Sequence, residues 1–181
     1  MDFELSPRVE ELRGRVREFM REHVYPVEAE ALRALDEEVR PSVPYPEVIV
    51  EVRERARSDG LWNLFMPGER YGAGLTNAEY GVLCEEMGRT AAAPAVFNCA
   101  APDTGNMEIL AEYGNEEQRR RWLDPLLAGD VRSCFSMTEP EVAGSDPTLL
   151  RTRAVRDGDS WVLNGHKWFT SGAVGARFAI A

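Results

Sequence analysis

Residues Cys134-Phe-Ser-Met-Thr-Glu-Pro-Glu-Val-Ala-Gly-Ser-Asp146 mark the point where the chain changes its period. Ser133 to Thr138 is a short strand-like run, Glu139-Pro140 turns the chain, and Ala143-Gly144-Ser145 permits close backbone approach. Free N–H groups, a hydroxyl and small side chains in one turn suit a polar planar ring or a phosphate. Taken alone, an ordinary strand–turn–loop is the better reading of the segment. Upstream the apolar residues recur at helical spacing; downstream they fall in short runs separated by turn residues. The predicted fold class is therefore α+β. An all-α helical domain over residues 1–129 is followed, over 130–181, by the opening part of an antiparallel β-barrel or sandwich domain.

Upstream, Leu5, Val9, Leu12, Val16, Phe19 and Met20 form one stripe on a helix that should stop near Pro26. Val48, Ile49, Val52 and Ala56 predict a second helix ended by Gly60, and Leu61 to Leu75 reads as a long loop. Thr76-Asn-Ala-Glu79 is a capping box that opens a third helix through Leu83 and Met87, stopped at Gly88. A fourth helix follows Pro102, with Met107, Leu110 and Tyr113 inward and Gly114 as its stop. Asn115-Glu-Glu-Gln118 caps a fifth, with Trp122, Leu123, Leu126 and Leu127 inward and Gly129 at its end.

Downstream, Leu150 to Arg156, the turn Asp157-Gly-Asp-Ser160 and Trp161 to Leu163 predict a β-hairpin. Asn164-Gly165 signals a tight turn into a strand over Lys167 to Thr170, and Arg177 to Ala181 reads as another strand. Such a sheet leaves a half-built core and open edges, which points to a fragment, a truncated frame or half of a split protein.

Composition narrows the function. The chain has 181 residues, 44% hydrophobic and 29% charged, an ordinary globular balance. Lys plus Arg total 21 against 31 Asp plus Glu, a net charge of −10 that disfavours nucleic acid as a partner. The one basic run, Arg119-Arg120-Arg121, reads as a solvated helix face. No apolar stretch is long enough for a membrane span, and the acidic start Met1 to Arg8 is unlike a signal peptide, so the cytoplasm is the expected compartment. Cys84, Cys99 and Cys134 read as buried thiols, and His23 and His166 assemble no metal site.

The second segment with chemical potential is Asn164-Gly-His-Lys-Trp-Phe-Thr-Ser-Gly172, two aromatics and two hydroxyls in what reads as a strand. Together with Met137-Thr-Glu-Pro-Glu-Val-Ala-Gly-Ser-Asp146, it resembles the acyl-CoA dehydrogenase family. Val96-Phe-Asn-Cys-Ala-Ala-Pro-Asp-Thr-Gly-Asn-Met107, Tyr113-Gly-x-Glu-Glu-Gln118 and Trp122-Leu-x-Pro-Leu-Leu127 resemble the branch containing family members ten and eleven. The resemblance implies a flavoenzyme that holds FAD and converts an acyl-CoA thioester to a trans-2-enoyl-CoA. In that chemistry a carboxylate takes the α-proton while hydride leaves to flavin N5. It implies Phe135, Met137 and Thr138 along the ring and Gly144 and Ser145 over it, with Ser145 also touching the acyl-CoA. It puts Phe169 at the aromatic position and Ser171 at the N5-bonding position, with Thr170 between them also in the cofactor-binding set. The loop after Thr-Glu-Pro is one residue longer than in short- and medium-chain members, and Trp168 precedes the aromatic slot. Strand alternation sends Phe169 and Ser171 to one face and Trp168 and Thr170 to the other.

The family's catalytic base lies in a C-terminal helical bundle, so no residue of this chain is assigned that role; Glu139 is a turn residue of the flavin motif. The implied partners are acyl-CoA, electron-transfer flavoprotein as acceptor and further copies of the subunit, as a dimer or tetramer, within fatty-acid β-oxidation. Acyl-CoA oxidase or nitroalkane oxidase chemistry on the same fold, and a non-catalytic module, are the alternatives. Asn98 or Asp103, at the start of the fourth helix, is expected to face the acyl chain and admit oxygenated substrates such as 4-hydroxyacyl-CoA.

Overall fold

Ser6 opens the first helix. Its hydroxyl accepts from the Val9 N–H at 3.3 Å, and Pro7 occupies the first turn, where no N–H is needed. The computed structural model describes residues 4–37 and 45–181; residues 1–3 of the acidic start lie outside them. Helix α1 (Pro7–Phe19) buries Val9, Leu12, Val16 and Phe19, the stripe its spacing predicts. The helical path does not stop at Pro26. A π-helical turn over Met20–Val24 closes with the Tyr25 N–H on the Met20 carbonyl, a 3₁₀ turn over Tyr25–Val27 holds Pro26, and α2 (Glu28–Glu37) follows. The widened turn adds a residue ahead of the proline, which then begins a new helical stretch instead of ending the old one.

Helix α3 (Glu47–Ser58) buries Ile49, Val52 and Ala56, and the chain leaves it through left-handed Gly60. After the loop comes α4 (Asn77–Met87), with both capping-box bonds formed: Glu79 N–H to the Thr76 hydroxyl at 3.3 Å and Thr76 N–H to the Glu79 carboxylate at 2.8 Å. A short α5 (Ala93–Val96), absent from the sequence reading, precedes α6 (Asp103–Tyr113). Tyr113, expected inward, is 76% exposed; the buried face of α6 is Asp103, Asn106 and Met107, largely polar, which hid it from an apolar count. The last helical stretch runs α7 (Glu116–Gln118), a second π turn (Arg119–Leu123) and α8 (Asp124–Ala128), where Pro125 again follows a π turn.

One apolar cluster joins α1, α3, α4 and α5 through residues such as Val16, Ile49, Leu83 and Phe97. Its rim holds the buried Glu86 carboxylate, paired with Arg13 at 3.0 Å and Arg17 at 2.5 Å from α1. A second cluster contains Phe65, Met66, Met107, Leu123 and Leu126, and Phe178 from the β region packs against it.

The end of α8 is held by side-chain donors. Leu126 O accepts from Asn98 at 3.1 Å, Leu127 O from Trp62 at 2.7 Å and Asn63 at 3.0 Å, and Gly129 O from Arg53 at 3.3 Å. Arg53 is itself buried and stacks on Tyr45 at 4.1 Å and Trp62 at 4.7 Å. Cations and donors here complement the negative helix end. Gly129 is left-handed at φ 77°, and a Cβ there would lie 2.2 Å from the Arg53 guanidinium and 2.8 Å from the Trp62 ring. Gly129→Ala is therefore expected to cost about 1–3 kcal/mol from overpacking, beyond the left-handed backbone penalty. A lowered urea midpoint at unchanged slope checks it; an unchanged midpoint contradicts it.

Strand β1 (Arg132–Phe135) pairs in parallel with β4 (Ala176–Ile180), with Ser133 opposite Phe178 and Phe135 opposite Ile180. Between them β2 (Arg153–Asp157) and β3 (Ser160–Asn164) form the predicted antiparallel hairpin, turned at Gly158. The α+β class holds, while the β1–β4 pairing adds a parallel element to it. Two local readings are corrected. Asn164-Gly165 makes no tight turn; Gly165 is needed because a Cβ would lie 2.0 Å from the Thr152 hydroxyl. Lys167 to Thr170 is not a strand.

Candidate functional site

The segment that continues β1 and the segment after β3 lie side by side. The Trp168 N–H donates to the Thr138 carbonyl at 3.1 Å, and the Ser136 and Thr170 hydroxyls lie 2.8 Å apart. Ser136 N–H donates to Ile180 O at 2.7 Å, which extends the β1–β4 contact by one residue. Lys167 reaches across with its ammonium, 2.8 Å from Met137 O and 3.0 Å from Glu139 Oε1. Backbone bonds thus set the separation of the two segments, and Lys167 fixes it from the side.

Glu139 is buried at 2% exposure. Its carboxylate accepts from Arg151 N–H at 2.7 Å and Thr152 N–H at 2.8 Å as well as from Lys167. The Thr152 side chain, these two N–H groups and Lys167 hold its pKa at about 2. Such a carboxylate stays ionised and fully engaged. It closes the base of the loop from residue 139 to 152, which carries Gly144 and Ser145. Farther along that loop, Asp146 accepts from Thr148 N–H at 3.0 Å and from its hydroxyl at 2.6 Å, shaping the short 3₁₀ turn Pro147–Leu149.

The face these segments present is aromatic and open. Phe135 is 40% exposed, Trp168 43% and Phe169 76%, and the Trp168 and Phe169 ring centroids are 4.6 Å apart. Met137, Thr138, Gly144 and Thr170 are half-buried; Ser145 and Ser171 are exposed. Phe169 has φ 49°, a conformation that a bulky residue seldom adopts, so strict strand alternation does not describe residues 168–171. The pairing of Phe169 with Ser171 on one face cannot rest on parity. Aromatic surface interleaved with hydroxyls is the chemistry that a planar heteroaromatic ring with hydrogen-bonding edges requires, so the donor set fits a flavin.

The sequence reading missed two groups. One is the Glu139–Lys167 brace, whose signal was a Glu and a Lys at matching places in the two motifs. The other lies behind β1, where Asp103 and Asn106 bond Ser133 and Cys134. This placement overturns the expectation for Asn98 and Asp103. Asn98 sits before α6, at 5% exposure, with its amide spent on Asn63 and the end of α8. Asp103, at 4% exposure, is bonded to Ser133. Neither is free to read a substrate hydroxyl. Cys84 is exposed rather than buried, Cys99 is half-buried and Cys134 buried, and none is in a disulfide. His166 lies 3.3 Å from Glu141 at the surface. Among the described residues, no three potential ligands cluster to hold a metal, and no helix is long and apolar enough to cross a membrane.

Sequence profiles give the class. The acyl-CoA dehydrogenase N-terminal domain matches residues 6–130 and the acyl-CoA dehydrogenase middle domain matches residues 134–181. The chain belongs to the acyl-CoA dehydrogenase family. Among its relatives, acyl-CoA dehydrogenase family member 10 of Mus musculus is 50% identical over 178 residues, covering 96% of this chain and 16% of that protein. The solved structure of a Mycobacterium abscessus protein described as an acyl-CoA dehydrogenase superposes with a TM-score of 0.81 at 47% identity, over 94% of this chain and 44% of that one. A glutaryl-CoA dehydrogenase of Mycobacterium smegmatis, solved in complex with FADH2, gives a TM-score of 0.60 at 31% identity, over 89% of this chain and 38% of that one. The chain spans less than half the length of each of these proteins.

Proposed function

We propose that this chain supplies the flavin-facing half of an FAD-dependent acyl-CoA α,β-dehydrogenase. Residues 1–129 act as the N-terminal helical domain and 130–181 as the start of the middle β-domain. The observation that carries the reading is the juxtaposition of segments 135–139 and 167–171 through Trp168, Ser136–Thr170 and Lys167. FADH2 in the glutaryl-CoA dehydrogenase relative supports the choice of cofactor. Phe135, Met137, Thr138, Phe169, Thr170 and Ser171 would hold the ring, with Gly144 and Ser145 on the loop beside it and Ser145 also meeting the acyl-CoA. Bound flavin supplies the hydride acceptor. The residues of this chain orient it and shield one face from water. Proton abstraction needs a base from another region of the enzyme, since Glu139 is fully engaged. Electron-transfer flavoprotein as acceptor, assembly into a homo-oligomer and a place in cytoplasmic fatty-acid β-oxidation belong to the same proposal.

The test joins this chain to a family C-terminal region and mixes the FAD-loaded product anaerobically with acyl-CoA in a stopped-flow instrument. Bleaching of the flavin band is expected. Ser171→Ala should keep the fold and slow bleaching by roughly tenfold, the loss of one placed donor. Absence of FAD uptake by the joined protein overturns the reading; an unchanged Ser171→Ala rate removes Ser171 from the site.

A further inference from the structure

Among the described residues β1 pairs with one strand, β4. Side chains from the first turn of α6 also bond its polar groups. Ser133 N–H donates to Asp103 Oδ1 at 2.7 Å, and the Ser133 hydroxyl donates to the same oxygen at 2.6 Å. Asn106 Nδ2 donates to the Ser133 hydroxyl oxygen at 2.8 Å and to the Cys134 carbonyl at 3.1 Å. Asp103, Asn106, Ser133 and Cys134 are each less than 5% exposed. Residues three apart share one helix face, so Asp103 and Asn106 act as a pair. The carboxylate also sits where the helix dipole favours negative charge.

These bonds satisfy the Ser133 N–H and hold the Cys134 C=O at fixed positions along the chain. Register matters here because side chains alternate: a slip of one residue in β1 would exchange Phe135 for Ser136 and Met137 for Thr138. The parallel pairing with β4 does not enforce the register alone, since it is already irregular between Arg132 and Ser133. The clasp grips that irregular point.

We propose that Asp103 and Asn106 are positioning residues that set the register of β1 and thereby aim Phe135 to Thr138 at the cofactor face. The cofactor clause rests on the flavin reading above; the register clause does not. A plain core contact would add stability without favouring one register, and the two roles separate experimentally.

Amide hydrogen exchange is measured on the chain, and FAD affinity on the chain joined to a family C-terminal region. The variants are Asp103→Leu, Asn106→Ala and Asp103→Asn, with Glu86→Gln, which loosens the α1–α4 contact, as a remote destabilised control. Relative to that control, Asp103→Leu is expected to speed exchange at Ser133 to Ser136 by about tenfold and weaken FAD binding by about tenfold, the loss of one or two buried bonds. Asp103→Asn keeps the acceptor oxygen and should restore both values to near wild type. Should Asp103→Leu not fold, Asn106→Ala, which removes only the second half of the clasp, is expected to show the same pattern at smaller amplitude. The proposal is overturned if exchange at Ser133 to Ser136 changes no more than in Glu86→Gln, or if Asp103→Asn behaves like Asp103→Leu. Wild type that takes up no FAD refutes the flavin reading, and the exchange results then decide the clasp separately.

Discussion

Expressed alone, the 181-residue chain should purify without flavin colour and show no acyl-CoA dehydrogenase turnover. The aromatic face that would meet the ring is open: Phe169 is three-quarters exposed and Trp168 and Phe135 about two-fifths. A ring lying there would be covered on one side only, and water on the other side would weaken every hydrogen bond to it. The solved relatives place this region within chains more than twice as long. Among the described residues, neither glutamate of the Thr-Glu-Pro-Glu motif is placed as a base at the face. Glu139 accepts three hydrogen bonds, and Glu141 is exposed beside His166. A placed base contributes about 10²–10⁴-fold, and the α-proton of a thioester does not leave at a useful rate without one. FAD titration followed by visible absorbance, with an artificial electron acceptor as the activity assay, checks both halves. Stoichiometric FAD with turnover from these 181 residues would show that the site is complete without further chain.

Much of the helical half was legible because its signals are local. Ser and Thr caps, the stripe on α1 and the stops at Gly60, Gly88, Gly114 and Gly129 each act within a few residues. What escaped was tertiary. Pro26 reads as a terminator because a proline breaks an ordinary α-helix, yet the chain meets both Pro26 and Pro125 with a π turn that ends two residues earlier. The tolerance of Pro125 in the predicted fifth helix was a hint that Pro26 could be accommodated in the same way. Helix α2 was lost with it. The buried face of α6 escaped for another reason: it is polar, and its partners lie about thirty residues downstream in β1.

The two motif segments were legible as pieces, and the resemblance said they belong together. The means by which they are joined was not legible. Lys167 to Met137 O and Glu139 is a contact across some thirty residues, and no spacing rule predicts it. The same holds for the backbone of Phe169. A run of Trp-Phe-Thr-Ser has high strand propensity, but its flanks decide otherwise. Lys167 is pinned on one side and Thr170 meets Ser136 on the other, and of the two residues between them Phe169 is left-handed.

Acid should unfold this protein by way of two identifiable carboxylates. Glu86 is held at about 2, first by the hydrogen bond from Arg17 and further by Arg13 and Arg89; Glu139 is held at about 2 by Thr152, Arg151 N–H and Lys167. An unfolded Glu titrates near 4.3, so both folded values are depressed, and each group contributes stability that is complete above that value and lost as pH falls toward 2. Asp103 has the opposite sign. Burial raises its folded pKa, against the bonds from Ser133, so its contribution is present at low pH and declines as pH rises through the folded value. Between pH 4.3 and 2, Glu86 and Glu139 together should contribute close to two of the protons taken up on unfolding, with Glu79 and Asp146, also held low by their Thr76 and Thr148 bonds, adding to the slope of urea midpoints against pH. Glu86→Gln and Glu139→Gln should each lower stability at neutral pH and each remove about one proton from that slope. The pair also separates the two halves of the chain. Glu86 ties α4 to α1, whereas Glu139 closes the loop beside the aromatic face, near Trp168. If Glu139→Gln loosens Trp168 fluorescence in acid while the helical circular dichroism holds, the β region unfolds first. If the double variant keeps the full wild-type slope, neither carboxylate is the acid-sensitive group.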